Sequence, residues 1–262
     1  MRADGRVIHE TAIVHADAAL AEDVEIGAYS IVGAHVELGA GCRIGPHVVL
    51  NGPMRMGKNN RVFQFCSLGE APQDLKYDDE PTRLEIGDGN TFREFATVNR
   101  GTVGGGGVTR IGDGNLFMGY THVAHDCRIA NNVIFSNTSQ IAGHVEIGDK
   151  VILGGFTKVH QFTHLGEHCF TGISTIITRD VPPYVIVAGT QARPYGINKI
   201  GLRRRGFDES TIAALHTAYK ALIRRRGGRD TAKEKIDALR AAHPEVQRFV
   251  EFIESSERGV VR

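Results

Sequence analysis

An aliphatic or aromatic residue returns every six positions through most of the first 180 residues of this chain, and that period sets its architecture. Ile8, Val14, Leu20, Ile26, Val32, Leu38, Ile44, Leu50, Met56, Val62 and Leu68 form one unbroken series. It resumes at Ile86, Phe92 and Val98, then slips by one residue across a glycine-rich segment. From Ile111 it continues through Phe117, Val123, Ile129, Phe135, Ile141, Ile147, Leu153, Val159, Leu165 and the polar Thr171 to Ile177. A hexapeptide period is the mark of a parallel β-helix: each repeat is one flat side of a coil, three sides complete a turn, and stacked coils bury a continuous core.

Two phases of the repeat should point inward, because side chains alternate across a strand. One is the aliphatic position itself. The other, two residues earlier, is small or short: Ala12, Ala18, Val24, Ser30, Val36, Cys42, Val48 and Cys66. The residue after the aliphatic one is often glycine, as at Gly27, Gly39 and Gly148, which is expected where the backbone turns a corner through unusual dihedrals. All four cysteines, Cys42, Cys66, Cys127 and Cys169, occupy the small inward phase and read as reduced core fillers.

Two segments break the pattern. Residues 70–82 fit an outward loop, since Leu68 and Ile86 stand one coil length apart although the intervening residues ignore the repeat. Residues 101–109 hold the one-residue slip and are glycine-rich enough to be mobile. Loops that leave a rigid scaffold commonly carry specificity. Near Val181-Pro-Pro-Tyr184 the repeat stops, as paired prolines predict for the end of strand pairing. Beyond it, Asp208 or Ser210 can cap a helix with Ile212, Leu215, Tyr219 and Leu222 on one face, ending at Gly227-Gly228. Two more helices are expected around Lys233–Arg240 and from Pro244 through Ile253, all three packed on the end or side of the solenoid. The chain thus divides into a β-helix over 1–190 and a small helical domain over 191–262.

A net charge of +1 gives no reason to expect nucleic acid as a partner. There is no apolar run of about 18 residues and no basic-then-apolar leader. The expectation is a cytoplasmic chain without an integral membrane segment.

The strongest chemical signal is a group of histidines on outward phases. His122 and His125 bracket Val123 in Thr-His-Val-Ala-His-Asp-Cys. His144 follows Asp126 by eighteen residues and should stack over it at about 4.8 Å, one strand spacing. Gly143 should sit likewise above His125. A histidine beside a glycine N–H is a base with an oxyanion donor. His9, His15, His35 and His47 read as solvated surface residues. A metal site is the competing reading, with His122, His125 and His144 supplying nitrogens if two chains contribute.

Tyr120-Thr-His-Val-Ala-His-Asp-Cys127, Gln73-Asp-Leu-Lys-Tyr77 with Glu80-Pro-Thr-Arg83, Asn99-Arg-Gly-Thr102, Ile141-Ala-Gly-His144, Val159-His-Gln-Phe162, Asp180-Val-Pro-Pro-Tyr184 and Arg203-Arg-Arg-Gly-Phe207 together closely resemble the acyl-carrier-protein-dependent UDP-N-acetylglucosamine O-acyltransferases that begin lipid A synthesis. The resemblance runs to Arg258-Gly-Val-Val-Arg262 and so covers essentially the whole chain. It implies a homotrimer of left-handed β-helices with an active site in each cleft between subunits, and no cofactor, because the carrier protein supplies the acyl thioester. His125 is then the general base toward the 3-hydroxyl of the sugar, Asp126 orients it, and the Gly143 amide receives the oxyanion. The resemblance further implies that Asp74 meets the sugar or the acyl 3-hydroxyl with Gln73 and Lys76 beside it. His122, His144 and His160 line the pocket, Gln161 approaches the nucleotide, and Asn198, Arg204 and Arg205 hold the diphosphate, for which a planar guanidinium fork is suited. Without the resemblance, a solvated charge run at a helix start is the lesser, alternative reading of Arg203–Arg205. Arg224, Arg225 and Arg226 could steer the acidic carrier protein.

The chain departs from this family at three places. Asn99 stands where histidine is common, Ile200 where glutamate is frequent beside the uridine, and Ile173 where members accepting long acyl chains carry glycine. A bulky residue there shortens the groove, so an acyl chain nearer ten or twelve carbons than fourteen is expected, at about 0.8 kcal/mol per buried methylene. The rivals are the N-acyltransferase of the same pathway, which normally adds an N-terminal uridine-binding domain, a zinc-dependent β-helical hydratase, and a solenoid that only binds.

Overall fold

The computed structural model describes residues 7–224 and 229–262. Short strands, mostly of two residues, stack in parallel into three sheets of 11, 9 and 8 strands. The first face begins at Val7–Ile8, the second at Ile13–Val14 and the third at Ala19–Leu20, and the chain visits them in that order, coil after coil. This is a left-handed parallel β-helix. The register is the one the period demands: Ile26 pairs with Ile44, Val32 with Leu50, and Ile129 with Ile147. The aliphatic phase and the small phase both face the axis, where Val24, Cys42, Val48, Cys127 and Cys169 have no exposed surface. All four cysteines are buried and free.

The expectation about glycine needs correcting. Backbone with φ near +60° occurs three residues after the aliphatic position, at Asp23, Tyr29, His47, Asn132, His144 and Lys150 among others. Of the glycines immediately after it, Gly69 alone has positive φ. The others answer to crowding: a Cβ on Gly39 would lie 2.6 Å from the backbone carbon of Gly57 in the next coil, and one on Gly27 would lie 2.6 Å from the Pro46 nitrogen. At these glycines the neighbouring coil stands too close to admit a side chain.

The position of the 70–82 loop is a second correction. Ile86 does not lie over Leu68. It pairs with Met56, thirty positions away where the repeat would give eighteen, while Leu68 pairs with Val98. The loop is therefore an insertion between the second and third faces. The 101–109 segment is inserted at the same corner one coil later, as the pairing of Ile86 with Ile111 shows. It is built around a 3₁₀ turn, Val103–Gly105, rather than a loose tether.

Strand pairing also outlasts the sequence repeat. After the two prolines, Val185–Ala188 still pairs in parallel with Phe170–Thr171, and Arg193–Ile197 folds back on it antiparallel. Four helices follow among the described residues, one more than expected: α1 (Lys199–Arg204), α2 (Glu209–Leu222), α3 (Arg229–Ala242) and α4 (Pro244–Ser255). Asp208 caps α2 by accepting from the Thr211 N–H. Ile212, Leu215 and Tyr219 are buried as their spacing requires. Arg248 of α4 ties the helical tail to the last coils by donating to Glu167 at 2.8 Å and to the Tyr184 hydroxyl at 3.2 Å. The Gly227-Gly228 stop, together with Arg225 and Arg226, lies outside the described residues.

Candidate active site at the corner between the second and third faces

Successive coils bring equivalent residues of this corner into columns. His125, Gly143 and Gln161 stack in one column and Asp126, His144 and Phe162 in the next, and the two inserted loops leave the coils just before them. Asp126, His144 and Phe162 all adopt φ close to +60°. That conformation throws their side chains outward at the bend, and His144 stacks on Phe162 with centroids 4.3 Å apart.

The Asp126 side chain is fully sheltered and accepts three hydrogen bonds. His125 Nδ1 lies 2.7 Å from Oδ2, the Thr102 hydroxyl donates to Oδ2 at 2.7 Å, and the Thr102 N–H donates to Oδ1 at 2.8 Å. Burial alone would raise the Asp126 carboxyl, but the bonds from His125 and Thr102 outweigh it and hold the group below the usual carboxylate range. An ionised carboxylate is acceptor only, so the proton of the His125 imidazole resides on Nδ1 and Nε2 keeps its lone pair. A Cβ on Gly143 would stand 2.6 Å from Cε1 and 2.8 Å from Nε2 of His125, so only glycine leaves that edge of the ring open. Among the described residues the Gly143 N–H makes no hydrogen bond.

His144 comes within 3.7 Å of Asp126 Oδ2 through Nε2, in the stacked position its spacing foretold. Burial lowers its pKa, opposed by the charge of Asp126. His122, one strand position before Val123, is half-buried on the second face, where its Nδ1 pairs with Thr97 Oγ1 at 2.8 Å. Its pKa is lowered by burial first and then by Lys158 and His125. His160 and Gln161 are exposed one coil further on, held by Arg258, whose guanidinium reaches His160 Nδ1 at 2.9 Å and donates to the Gln161 carbonyl at 3.0 Å. On the first inserted loop, Asp74 Oδ1 accepts from the Lys76 N–H at 3.0 Å, with Gln73 alongside, and its charge is felt at His144. Asn99 anchors the base of this loop by donating to the Ala71 carbonyl at 2.8 Å.

The remaining expected residues lie elsewhere on the chain. Asn198 caps α1 and donates to the His168 carbonyl at 3.2 Å, and Arg205 donates to His168 Nδ1 at 2.9 Å. His168 belongs to the corner between the third and first faces, so a single chain does not bring Arg205 to His125. Arg204 and Ile200 are exposed beside them. Ile173 sits at the third corner, between the first and second faces, with 72% of its surface exposed.

Sequence reasoning missed the supporting contacts. Thr102 and Thr97 appeared only inside motifs or not at all, because the first acts across an insertion that breaks the repeat count, and the second differs from other outward threonines only by what lies across the strand. The register predicts the Thr97–His122 neighbourhood once Val98 is known to pair with Val123.

His125, Asp126 and His144 present ligand atoms within 4.8 Å of one another, a set that could hold a divalent ion. His122, expected in such a site, is not among them.

These coils, with an oriented histidine on one corner and a helical tail, define a hexapeptide-repeat transferase. Residues 22–52 match the bacterial transferase hexapeptide repeat, and residues 180–261 match the second domain of UDP-N-acetylglucosamine O-acyltransferases. The acyl-[acyl-carrier-protein]–UDP-N-acetylglucosamine O-acyltransferase of Thiobacillus denitrificans is 54% identical over 255 residues, covering 97% of this chain and 99% of that protein. The enzyme of the same name from Herminiimonas arsenicoxydans is 49% identical over 98% of this chain and 99% of its own. The solved UDP-N-acetylglucosamine O-acyltransferase of Moraxella catarrhalis superposes with a TM-score of 0.93 at 41% identity, covering 97% of this chain and 99% of that one. The chain belongs to the UDP-N-acetylglucosamine O-acyltransferase family.

Proposed function

We propose that the protein transfers a 3-hydroxyacyl chain from acyl carrier protein to the 3-hydroxyl of UDP-N-acetylglucosamine, the first step of lipid A synthesis, and that His125 is the general base. The observation that carries the chemistry is the His125–Asp126 pair, with Nδ1 committed at 2.7 Å, beside the unpaired amide of Gly143. Nε2 takes the proton of the sugar hydroxyl as that oxygen attacks the thioester carbonyl. The Gly143 N–H receives the developing oxyanion. Collapse expels the carrier's thiolate, which recovers the proton from the imidazolium. No covalent acyl-enzyme and no cofactor enter this sequence.

His122, His144, His160 and Gln161 would line the substrate cleft, with Gln73, Asp74 and Lys76 closing it from the loop. Asn198, Arg204 and Arg205 would hold the diphosphate. Since Arg205 and His125 occupy different corners of one chain, a complete site would take them from two copies, and we infer a homotrimer. An exposed aromatic ladder supports this. Tyr29, His47, Phe65, Phe95 and Tyr120 stack at 4.7–5.4 Å along the corner between the first and second faces, and a contiguous run of exposed rings is what an interaction surface presents. No described helix is long and apolar enough to cross a membrane. A reaction fed by acyl carrier protein would be cytoplasmic, and Arg224 is an exposed cation available to that acidic partner.

The test is transfer from 3-hydroxyacyl carrier proteins to UDP-N-acetylglucosamine. His125→Ala should lower kcat by about 10²- to 10⁴-fold with the fold intact. Transfer by the variant at the wild-type rate would sink the assignment of the base. Because His125, Asp126 and His144 could hold an ion, metal analysis and a chelator run alongside: stoichiometric zinc with loss of activity on chelation would favour the metal reading instead.

A further inference from the structure

The glycine-rich segment 101–109 plays no part in the chemistry above, yet it grips Asp126 at both ends. Thr102 supplies two of the three hydrogen bonds to the carboxylate, one to each oxygen, and Thr109 Oγ1 accepts from the Asp126 N–H at 2.8 Å. The 3₁₀ turn between them is stapled by Thr102 itself, whose hydroxyl oxygen also accepts from the Gly105 N–H at 3.2 Å. Gly105 packs against the carboxylate so closely that a Cβ there would collide with it. The segment is thus shaped around one side chain, and Gly105 is what lets backbone lie on that carboxylate.

Two histidines border Asp126 Oδ2: His125 at 2.7 Å through Nδ1 and His144 at 3.7 Å through Nε2. A carboxylate free to turn about its last bond could serve either. The Thr102 N–H and O–H, bonded to different oxygens, set its plane so that Oδ2 meets His125. We propose that Thr102 is a positioning residue for the catalytic pair: it directs the Asp126 carboxylate to Nδ1 of His125 rather than to Nε2 of His144, and so makes His125 the histidine whose proton is held on the carboxylate-facing nitrogen while Nε2 keeps a free lone pair. This rests on the proposed role of His125 and assigns Thr102 no contact with substrate.

The experiment compares wild type with Thr102→Val, Thr102→Ala and Thr102→Ser in steady-state transfer, with thermal melting as the control for folding. Valine keeps the branch and the N–H and removes the hydroxyl; alanine does so without the branch, in case valine fails to fold; serine restores the hydroxyl. The proposal expects kcat to fall about 10- to 100-fold in the valine and alanine variants, the range for a lost hydrogen bond to a charged group. KM for both substrates should stay within threefold, and serine should recover most of the loss. Independently of any substrate, diethyl pyrocarbonate should acylate His125 several-fold more slowly in Thr102→Val than in wild type, read by peptide mass spectrometry. Unchanged kcat, a loss expressed in KM alone, or failure of serine to rescue would overturn the proposal. If the wild type transfers no acyl group, the functional reading falls, and the labelling rates alone then judge Thr102: equal rates in wild type and variant would overturn it.

Discussion

His168 shows at the scale of one residue how a buried group ties pH to stability. It stacks on Tyr184, meets the Phe207 ring edge-on, is 5% exposed, and accepts from Arg205. Burial first, then the charge of Arg205, lower its pKa to about 4; Lys150 acts in the same direction, while Glu167 and Asp149 oppose. The unfolded chain binds a proton near the ordinary value of about 6.5 that the folded chain refuses. Stability should therefore fall as pH drops from about 6.5 to 4, with no further loss from this group below that. Melting followed across this window should show a steeper decline for wild type than for His168→Asn, which retains an acceptor but cannot be charged; parallel declines would contradict the account.

For a single coil, the decisive quantity is the distance to the next one. Where glycine follows an aliphatic residue, as at Gly27 and Gly39, it is needed because backbones crowd, whereas the positive-φ site two residues further on is filled by aspartate, asparagine, histidine, lysine and aromatics among others. Gly39→Ala would set a methyl 2.6 Å from the Gly57 backbone, where nothing can yield without moving a coil. We expect it to cost about 1–3 kcal/mol of stability, as overpacking commonly does, seen as a lower melting temperature with little change in kcat of the folded protein. A variant as stable as wild type would show that neighbouring coils can shift apart.

For the whole molecule, the question is what lies along the second face once copies assemble. Ile176 is exposed on that face, and Ile173, 72% exposed, stands at the corner that leads into it. In the proposed trimer this is a groove wall, and a bulky wall shortens what fits. Wild type should prefer acyl chains of ten or twelve carbons, and Ile173→Gly should shift the preference toward longer ones, each added methylene recovering about 0.8 kcal/mol of burial. Carrier proteins of graded chain length measure it, and a fourteen-carbon preference in wild type would refute the idea.

The amino-acid sequence by itself determined the β-helix, its inward phases, the columns that stack His144 over Asp126 and Gly143 over His125, and the existence of two insertions. All of these follow from a local period, and stacking at one strand spacing turns position modulo eighteen into proximity. Only the tertiary structure decided that both insertions leave from the corner that carries His125, that Thr102 reaches Asp126, that α1 precedes the expected helices, and that Arg205 lies on a different corner from His125. An insertion resets the count, so proximity across it depends on which corner it leaves. Hydrogen bonds made there join residues with no periodic relation to one another.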